Sequence, residues 1–346
     1  MWNRYKSIKK LLSKIFTVKI WMVRRSDLRV VFMGTPEFSV PSLERLVFSE
    51  YQVVAVYTQP DRPSGRGRVM ALSPLKRAAE SLNLPVVQPP SLKKAEAIEQ
   101  LARFQPDVIV VAAFGQILPR SVLDIPTYGC IAIHPSLLPK YRGTSPVAAA
   151  ILAGDEFTGV SIILIEEKVD SGPILMRAQI SISNHDTTGS LTDKLSLVSA
   201  HLLHEVLVHW LRAELVARHQ SEAQATYTKL IAKEEGEIDW RLPAVDIWRR
   251  VRAFQPWPGC YTRWQGKQLK IIKAVPLPQT GEGSNEAGQV VELPPTACHP
   301  EVLFGVHTGS GILGVSQVQL EGRRAMSGAE FVRGQRRLIG AVLAHG

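Results

Sequence analysis

The 346 residues, 45% of them hydrophobic, are enough for two separate cores. The three cysteines, Cys130, Cys260 and Cys298, form neither a CxxC pair nor a secreted disulfide pattern, so a cytoplasmic setting is expected; no apolar run reaches the roughly 18–20 residues of a spanning helix, so no membrane association is expected. Of the net charge of +10, eight positive charges and no acid fall in residues 1–26, which leaves 33 bases against 31 acids beyond them; any nucleic-acid binding must then rest on local patches, not on bulk charge.

In residues 1–26, Tyr5, Ile8, Leu12 and Ile15 recur at helical spacing between lysines. That pattern suits a helix on an anionic membrane or a transit peptide. Met22 stands just before the first strand, however, and the segment is read as a basic extension from a start placed too early. An organellar location is expected only if it is a transit peptide.

Leu28–Met33 reads as a buried strand ending at Gly34. A helix follows Pro41, then a strand at Val53–Tyr57. Helices are expected over Pro74–Leu82, with Pro in its first turn, and over Ala95–Phe104. Asp107–Ala113 and Gly129–Ile133 are strongly apolar strands. Val160–Ile165 and Ile174–Ile180 read as two more, and Thr188–Arg212 as a long helix. Alternating strands and helices of this kind predict an α/β doubly wound parallel sheet over residues 27–212.

The polar stretch 213–232 reads as a linker. Beyond it, Leu269–Ala274, Gln289–Glu292, Glu301–Thr308 and Gly311–Gln319 are short β-like runs separated by turns. They predict a small OB-like β-barrel over residues 233–340. Gly34-Thr35-Pro36 is not GxGxxG, so a nicotinamide or flavin site there is not expected.

Ligands on open α/β sheets bind beyond the carboxyl ends of the strands. His134 stands at such an end. Pro135 then stops the strand, Ser136-Leu-Leu-Pro139 makes a compact turn, and Lys140-Tyr-Arg-Gly143 adds positive charge. A histidine there suits proton transfer, although a lone strand-end histidine is as readily structural. His201, His204 and Glu205 share one helix but make an incomplete ligand set, and no metal is expected.

His134-Pro-Ser-Leu-Leu-Pro139, with Tyr141-Arg-Gly143 and Pro146, resembles the signature of the formyltransferases that use 10-formyltetrahydrofolate. Val169-Asp170-Ser-Gly172 resembles their second motif. These two motifs leave the acceptor open among glycinamide ribonucleotide, an amino sugar, water and an aminoacyl-tRNA. Phe32-Met-Gly-Thr-Pro-Glu-Phe38, Thr58–Gly67, Val251–Gly259 and Leu320–Met326 narrow the resemblance to methionyl-tRNA formyltransferases, in the right order over residues 28–334.

The resemblance implies 10-formyltetrahydrofolate as co-substrate and methionyl initiator tRNA as acceptor. It gives His134 and Asp170 as the catalytic pair; on residues alone, Asp170 before Ser-Gly is equally a turn former. It places the folate against Ser136, Leu137, Leu138, Pro139, Phe114, Gly115 and Ile117, the leucines being equally suited to core packing. It also implies tRNA contacts from the Arg62, Arg66 and Arg68 loop and from Arg249, Arg252 and Lys270 in the second domain, positions that otherwise read as charged surface. Monomeric action is expected.

One position departs from the family's pattern. Ala132 stands where the family has an asparagine that donates a hydrogen bond to the developing oxyanion. An amino-sugar formyltransferase remains an alternative, as does a folate- and tRNA-binding homologue with impaired catalysis.

Overall fold

A computed structural model describes residues 27–49, 51–64, 69–278, 286–294, 302–335 and 337–343. The basic extension 1–26, Cys298, Arg66 and Arg68 lie outside the described residues.

The first sheet is built from apolar runs covered on both faces. β1 (Arg29–Gly34) lies in its interior and pairs in parallel with β2 (Gln52–Tyr57) and with the central strand β4 (Val108–Ala112), Phe32 facing Val110 in the second pair. β3 (Val86–Val87) adds to β2, and β5 (Cys130–His134) adds to β4, both in parallel. β6 (Phe157–Leu164) then runs antiparallel to β5, and β7 (Ile174–Ser181) closes that side. The order is therefore β7-β6-β5-β4-β1-β2-β3. β3 has only two residues, too short for a periodicity argument.

The helices start where local chemistry allows. α1 (Val40–Phe48) and α2 (Pro74–Ser81) each carry proline in the first turn, where its missing N–H costs nothing. The Ser73 hydroxyl caps α2 by accepting from Lys76 N at 3.1 Å. α3 (Ala95–Arg103) and the short α4 (Arg120–Leu123) follow, then α5 (Pro146–Ala153) and the 23-residue α6 (Thr188–Trp210).

The second sheet is an antiparallel half-barrel. β8 (Cys260–Trp264) and β9 (Lys267–Leu277) form a hairpin. Its turn, Gln265-Gly266, has positive φ at both residues, the geometry that matches strand twist. β12 (Ile312–Leu320) pairs with β9 and with β11 (Phe304–His307), and β10 (Val290–Glu292) completes the order β8-β9-β12-β11-β10. Two helices belong with it, α7 (Ala244–Ala253) and α8 (Gly328–Gly334), the second opened by a Ser327–Glu330 capping box.

The described residues group differently from the expected 27–212, 213–232 and 233–340. The first compact unit falls within Met1–Arg142, Gly159–Gln179 and Asp193–Thr226; the second falls within Gly143–Thr158, Ile180–Thr192 and Tyr227–Gly346. The cause within the second unit is α7. Its Arg249 guanidinium packs on Gly154, where a Cβ would approach within 2.3 Å. Its Ala253 carbonyl accepts from the Thr188 hydroxyl at 2.6 Å. In the first unit, residues 213–226 are not a free linker. Arg218 and Ile174 exchange backbone hydrogen bonds at 2.7 and 2.9 Å, and the stretch continues along the first unit from there.

Candidate active site

β5 is flanked by β4 and β6, and its burial brings a polar side chain to a protected strand end. His134 is only 5% exposed. Its Nε2 lies 2.9 Å from the Tyr141 carbonyl oxygen. A carbonyl can only accept, so Nε2 carries a hydrogen, an assignment made from this contact. The other ring nitrogen, Nδ1, lies 3.5 Å from Asp170 Oδ2. Nδ1 thus faces a carboxylate across a gap slightly longer than a hydrogen bond. A ring protonated at both nitrogens would give each acceptor its own proton.

Asp170 sits on the loop between β6 and β7, with φ of 52°. That left-handed conformation is uncommon outside glycine but is tolerated by aspartate. Two residues on, Gly172 is required by space, because a Cβ there would come within 1.8 Å of the Leu164 carbonyl oxygen. The Asp-Ser-Gly triplet is therefore both a tight turn and the carrier of the histidine's partner.

The 135–140 turn is held from within. Ser136 Oγ donates to the Lys140 carbonyl at 2.6 Å. The fully buried Ser161 hydroxyl donates to the Ser136 carbonyl at 2.7 Å and accepts from Leu138 N at 3.0 Å. Arg177 donates to the Leu138 carbonyl at 3.0 Å. Ser136 and Leu138 are 0% exposed. They shape the turn from its interior, which corrects their expected role as folate contacts; Leu137 and Pro139 remain half-buried.

The segment after β4 divides in the same way. Phe114 is packed in the core, and its carbonyl accepts from Thr35 Oγ1 at 3.2 Å and Gln59 Nε2 at 3.1 Å. Gly115 and Ile117 are exposed. Ala132 is half-buried on β5, opposite Val111 on one side and Ile163 on the other. It is two residues from His134 and so on the same strand face, with no side-chain donor to offer.

Sequence reasoning did not single out a cavity of about 250 Å³ lined by Leu123, Cys130, Leu164, Ile165, Glu166 and Pro173, among others. Part of its wall is the loop that carries Asp170. The Cys130 thiol on that wall is pushed up to about 12 by burial, which makes it an inert apolar surface rather than a nucleophile. The signal for such a lining was weak, since each residue also reads as ordinary core.

The basic positions separate by exposure. Arg62 is exposed at the start of a small hairpin, Arg62–Ser64 with Val69–Ala71. The base of that hairpin is tied by Lys76, whose Nζ donates to Asp61 Oδ2 at 2.6 Å and Gln88 Oε1 at 2.9 Å. The two hydrogen bonds from Lys76 and Gln88 hold the Asp61 carboxyl below its ordinary range. In the second unit, Lys270 is half-buried on β9, and Arg249 is half-buried beside Asp246 at 3.4 Å.

Arg252 contradicts its expected role as a tRNA contact. It is 8% exposed, stacks 3.9 Å from the Trp248 ring centroid, and donates to the Ser183 and Asp186 carbonyls at 3.1 and 3.3 Å. Its guanidinium holds the second unit together and is not presented to a ligand. His204, one of the helix histidines, likewise points inward and meets Tyr51 edge-on at 6.3 Å. Among the described residues no helix is long and apolar enough to cross a membrane.

Comparison with known proteins places the chain in a family. A formyl transferase family model matches residues 28–207, and a model of the formyl transferase C-terminal domain matches residues 230–336. The methionyl-tRNA formyltransferase of Chloroflexus aurantiacus is 47% identical over 307 residues, covering 89% of this chain and 97% of that protein. The corresponding protein of Dehalococcoides mccartyi is 45% identical over 318 residues, covering 92% and 99%.

Among solved structures, an N-formyltransferase from Helicobacter canadensis, in complex with folinic acid and dTDP-3-aminofucose, aligns with a TM-score of 0.61 at 17% identity, over 86% of this chain and 100% of that one. HypX from Aquifex aeolicus, in complex with tetrahydrofolic acid, aligns at 0.59 and 17% identity. That alignment covers 90% of this chain and 48% of HypX, so the chain spans about half of it. At such identities the structural likeness speaks for the fold alone. The near-full-length matches at 45–47% identity go further: this chain belongs to the methionyl-tRNA formyltransferase family.

Proposed function

We propose that this chain moves the formyl group of 10-formyltetrahydrofolate to the α-amine of methionine on initiator tRNA, acting as a monomer in the cytoplasm. The observation that carries the reading is His134 Nδ1 facing Asp170 at 3.5 Å beyond a parallel strand. The acceptor is taken from the relatives' name and from the exposed Arg62 at the base of a basic loop.

The amine attacks the formyl carbon, forming the new C–N bond and a tetrahedral oxyanion. The amine gives up a proton, and the folate nitrogen gains one as its bond to the formyl carbon breaks. His134 relays that proton at Nδ1, and Asp170 orients the ring and balances its positive charge. The cavity beside the Asp170 loop takes the pterin, its apolar wall covering the ring while Glu166 and nearby backbone groups meet the polar edge. Gly115, Ile117, Leu137 and Pro139 contact the rest of the folate. The tRNA is held by Arg62, Arg66 and Arg68, with Arg249 and Lys270 in the second unit; Arg252 is left out because it is buried.

The test is formyl transfer to methionyl initiator tRNA, with a nucleotide-linked amino sugar as a parallel acceptor. Formylation of the tRNA alone is the expected result; transfer to the sugar alone would overturn the reading. Ala132 favours a second reading, a folate- and tRNA-binding homologue with impaired turnover. One oxyanion donor is worth about 10²–10³ in rate. Ala132→Asn is therefore expected to raise kcat by up to about that factor. A fast wild type with no gain from asparagine would mean that the oxyanion is served from elsewhere.

A further inference from the structure

Both partners of His134 are tied to one short piece of chain, residues 218–226. On the Asp170 side, Gln220 Nε2 donates to the carbonyl oxygens of Asp170 and Gly172, each at 2.8 Å. On the Tyr141 side, the peptide group whose carbonyl accepts from His134 donates through Arg142 N to the Thr226 carbonyl at 2.9 Å. Tyr141 N donates to Thr226 Oγ1 at 2.8 Å. Arg142 joins the two sides. Its side chain is 0% exposed. Its Nε and Nη2 donate to Gln220 Oε1 at 3.0 and 2.9 Å, and its Nη1 and Nη2 donate to the two oxygens of Glu222 at 3.1 and 3.0 Å.

We infer that Gln220 is a positioning residue for Asp170, and that residues 218–226 set the geometry of the catalytic pair. The inference rests on the reading of His134 and Asp170 as that pair. The Asp170 backbone is in a left-handed conformation at φ of 52°, which persists only where its surroundings fix it. The Gln220 amide fixes it by binding the carbonyls at both ends of the Asp170–Gly172 turn. The Asp170 carbonyl belongs to one of the two peptide planes that flank the Asp170 Cα, so holding it, with the turn closed at Gly172, constrains where the Asp170 side chain points. The Gln220 amide is itself held in one orientation, because Arg142 supplies two N–H groups to its oxygen and leaves its NH₂ for the carbonyls. The guanidinium gives two N–H groups to the amide and two to the carboxylate at once, and a lysine ammonium, with only three, cannot supply all four.

The experiment is steady-state kinetics of the full chain bearing Gln220→Met, Asp170→Asn, and both. Gln220→Met keeps the length of the side chain and removes the two donors. It should lower kcat by up to about 10²-fold, the cost of a small misplacement at a reacting centre. The KM for the folate should change by less than about twofold, because a transition-state interaction is lost rather than uniform binding. In the Asp170→Asn background, Gln220→Met should cost little more, since it acts through the same carboxylate.

Should Gln220→Met fail to fold, Gln220→Glu takes its place. It keeps an acceptor for Arg142 while losing both donors, and carries the same expectation. Unchanged kcat in the single variant, or full additivity in the double, overturns the inference. If Asp170→Asn itself leaves kcat unchanged, it is the reading of the catalytic pair that fails, which is a separate result.

Discussion

Two polar anchors in the catalytic unit show what each kind of segment demands. At the base of the Arg62–Ser64 hairpin, Lys76 binds Asp61 and Gln88, with Lys76 and Asp61 side chains 15% and 20% exposed. Beside the catalytic pair, Arg142 is 0% exposed and its guanidinium is shared between Gln220 and Glu222. The first anchor fixes where a loop begins and remains in reach of water. The second acts through Gln220 on the Asp170 and Gly172 carbonyls, and its guanidinium is buried while its Glu222 partner reaches water. A loop needs a root; a carboxylate held 3.5 Å from one ring nitrogen needs a direction.

The largest effect should come from the pair itself. Asp170→Asn keeps the shape and removes the charge, and kcat should fall by about 10²–10⁴. Next is Arg142→Met, which strands the acceptors that Arg142 serves. A loss of about 1–3 kcal/mol on chemical denaturation is expected from the abandoned Gln220 amide, together with a fall in kcat. Glu222, 60% exposed, recovers its solvation from water and adds little. Lys76→Met should lower Tm less than Arg142→Met does, and should raise the KM for tRNA more than it lowers kcat. Equal effects from the two variants would erase the distinction between the anchors. Arg66→Ala should weaken tRNA use far more than folate binding; equal loss of both would make the loop part of the scaffold.

The smallest expected effect lies in the second unit, far from either anchor in its cause. Burial holds the His307 imidazole below its ordinary 6.5. As pH falls the unfolded chain takes up that proton first, so the stabilisation is full above about 6.5 and drains away as pH drops toward the lowered folded value. Tm measured at about pH 7.5 and about pH 5.5 should therefore separate more in wild type than in His307→Leu. An identical separation would assign the pH dependence to other groups.

The sheet was legible because its strands are apolar without interruption, as in Val108–Ala112, and because His134 ends one of them. The turn residues were legible only as types. Ser136 looked available for a ligand, yet its hydroxyl is spent on the Lys140 carbonyl. Arg142 read only as added positive charge and as part of a signature, since nothing in a local pattern announces a buried guanidinium whose partners lie 78 and 80 residues away. Residues 213–232 read as a linker because they are polar. Their polarity, in Gln220, Glu222 and Thr226, is what binds them to the site. The basic cluster at 249–252 read as an RNA patch, while Ile247 and Val251 beside it form the core face of α7. Burial of Arg252 follows from that face and from a partner segment that only the fold brings near.

The Tyr141 carbonyl has a bearing on how this enzyme can vary. It is a main-chain atom, so the proton on His134 Nε2 is specified by the path of the backbone rather than by any side chain. Replacing Tyr141 leaves that specification intact as long as the new residue accepts φ of 62°, which asparagine and glycine do and β-branched residues resist. Within that narrow conformational class the acceptor for Nε2 persists whatever the side chain at 141, while proline at 142 would remove the N–H that anchors the same peptide group.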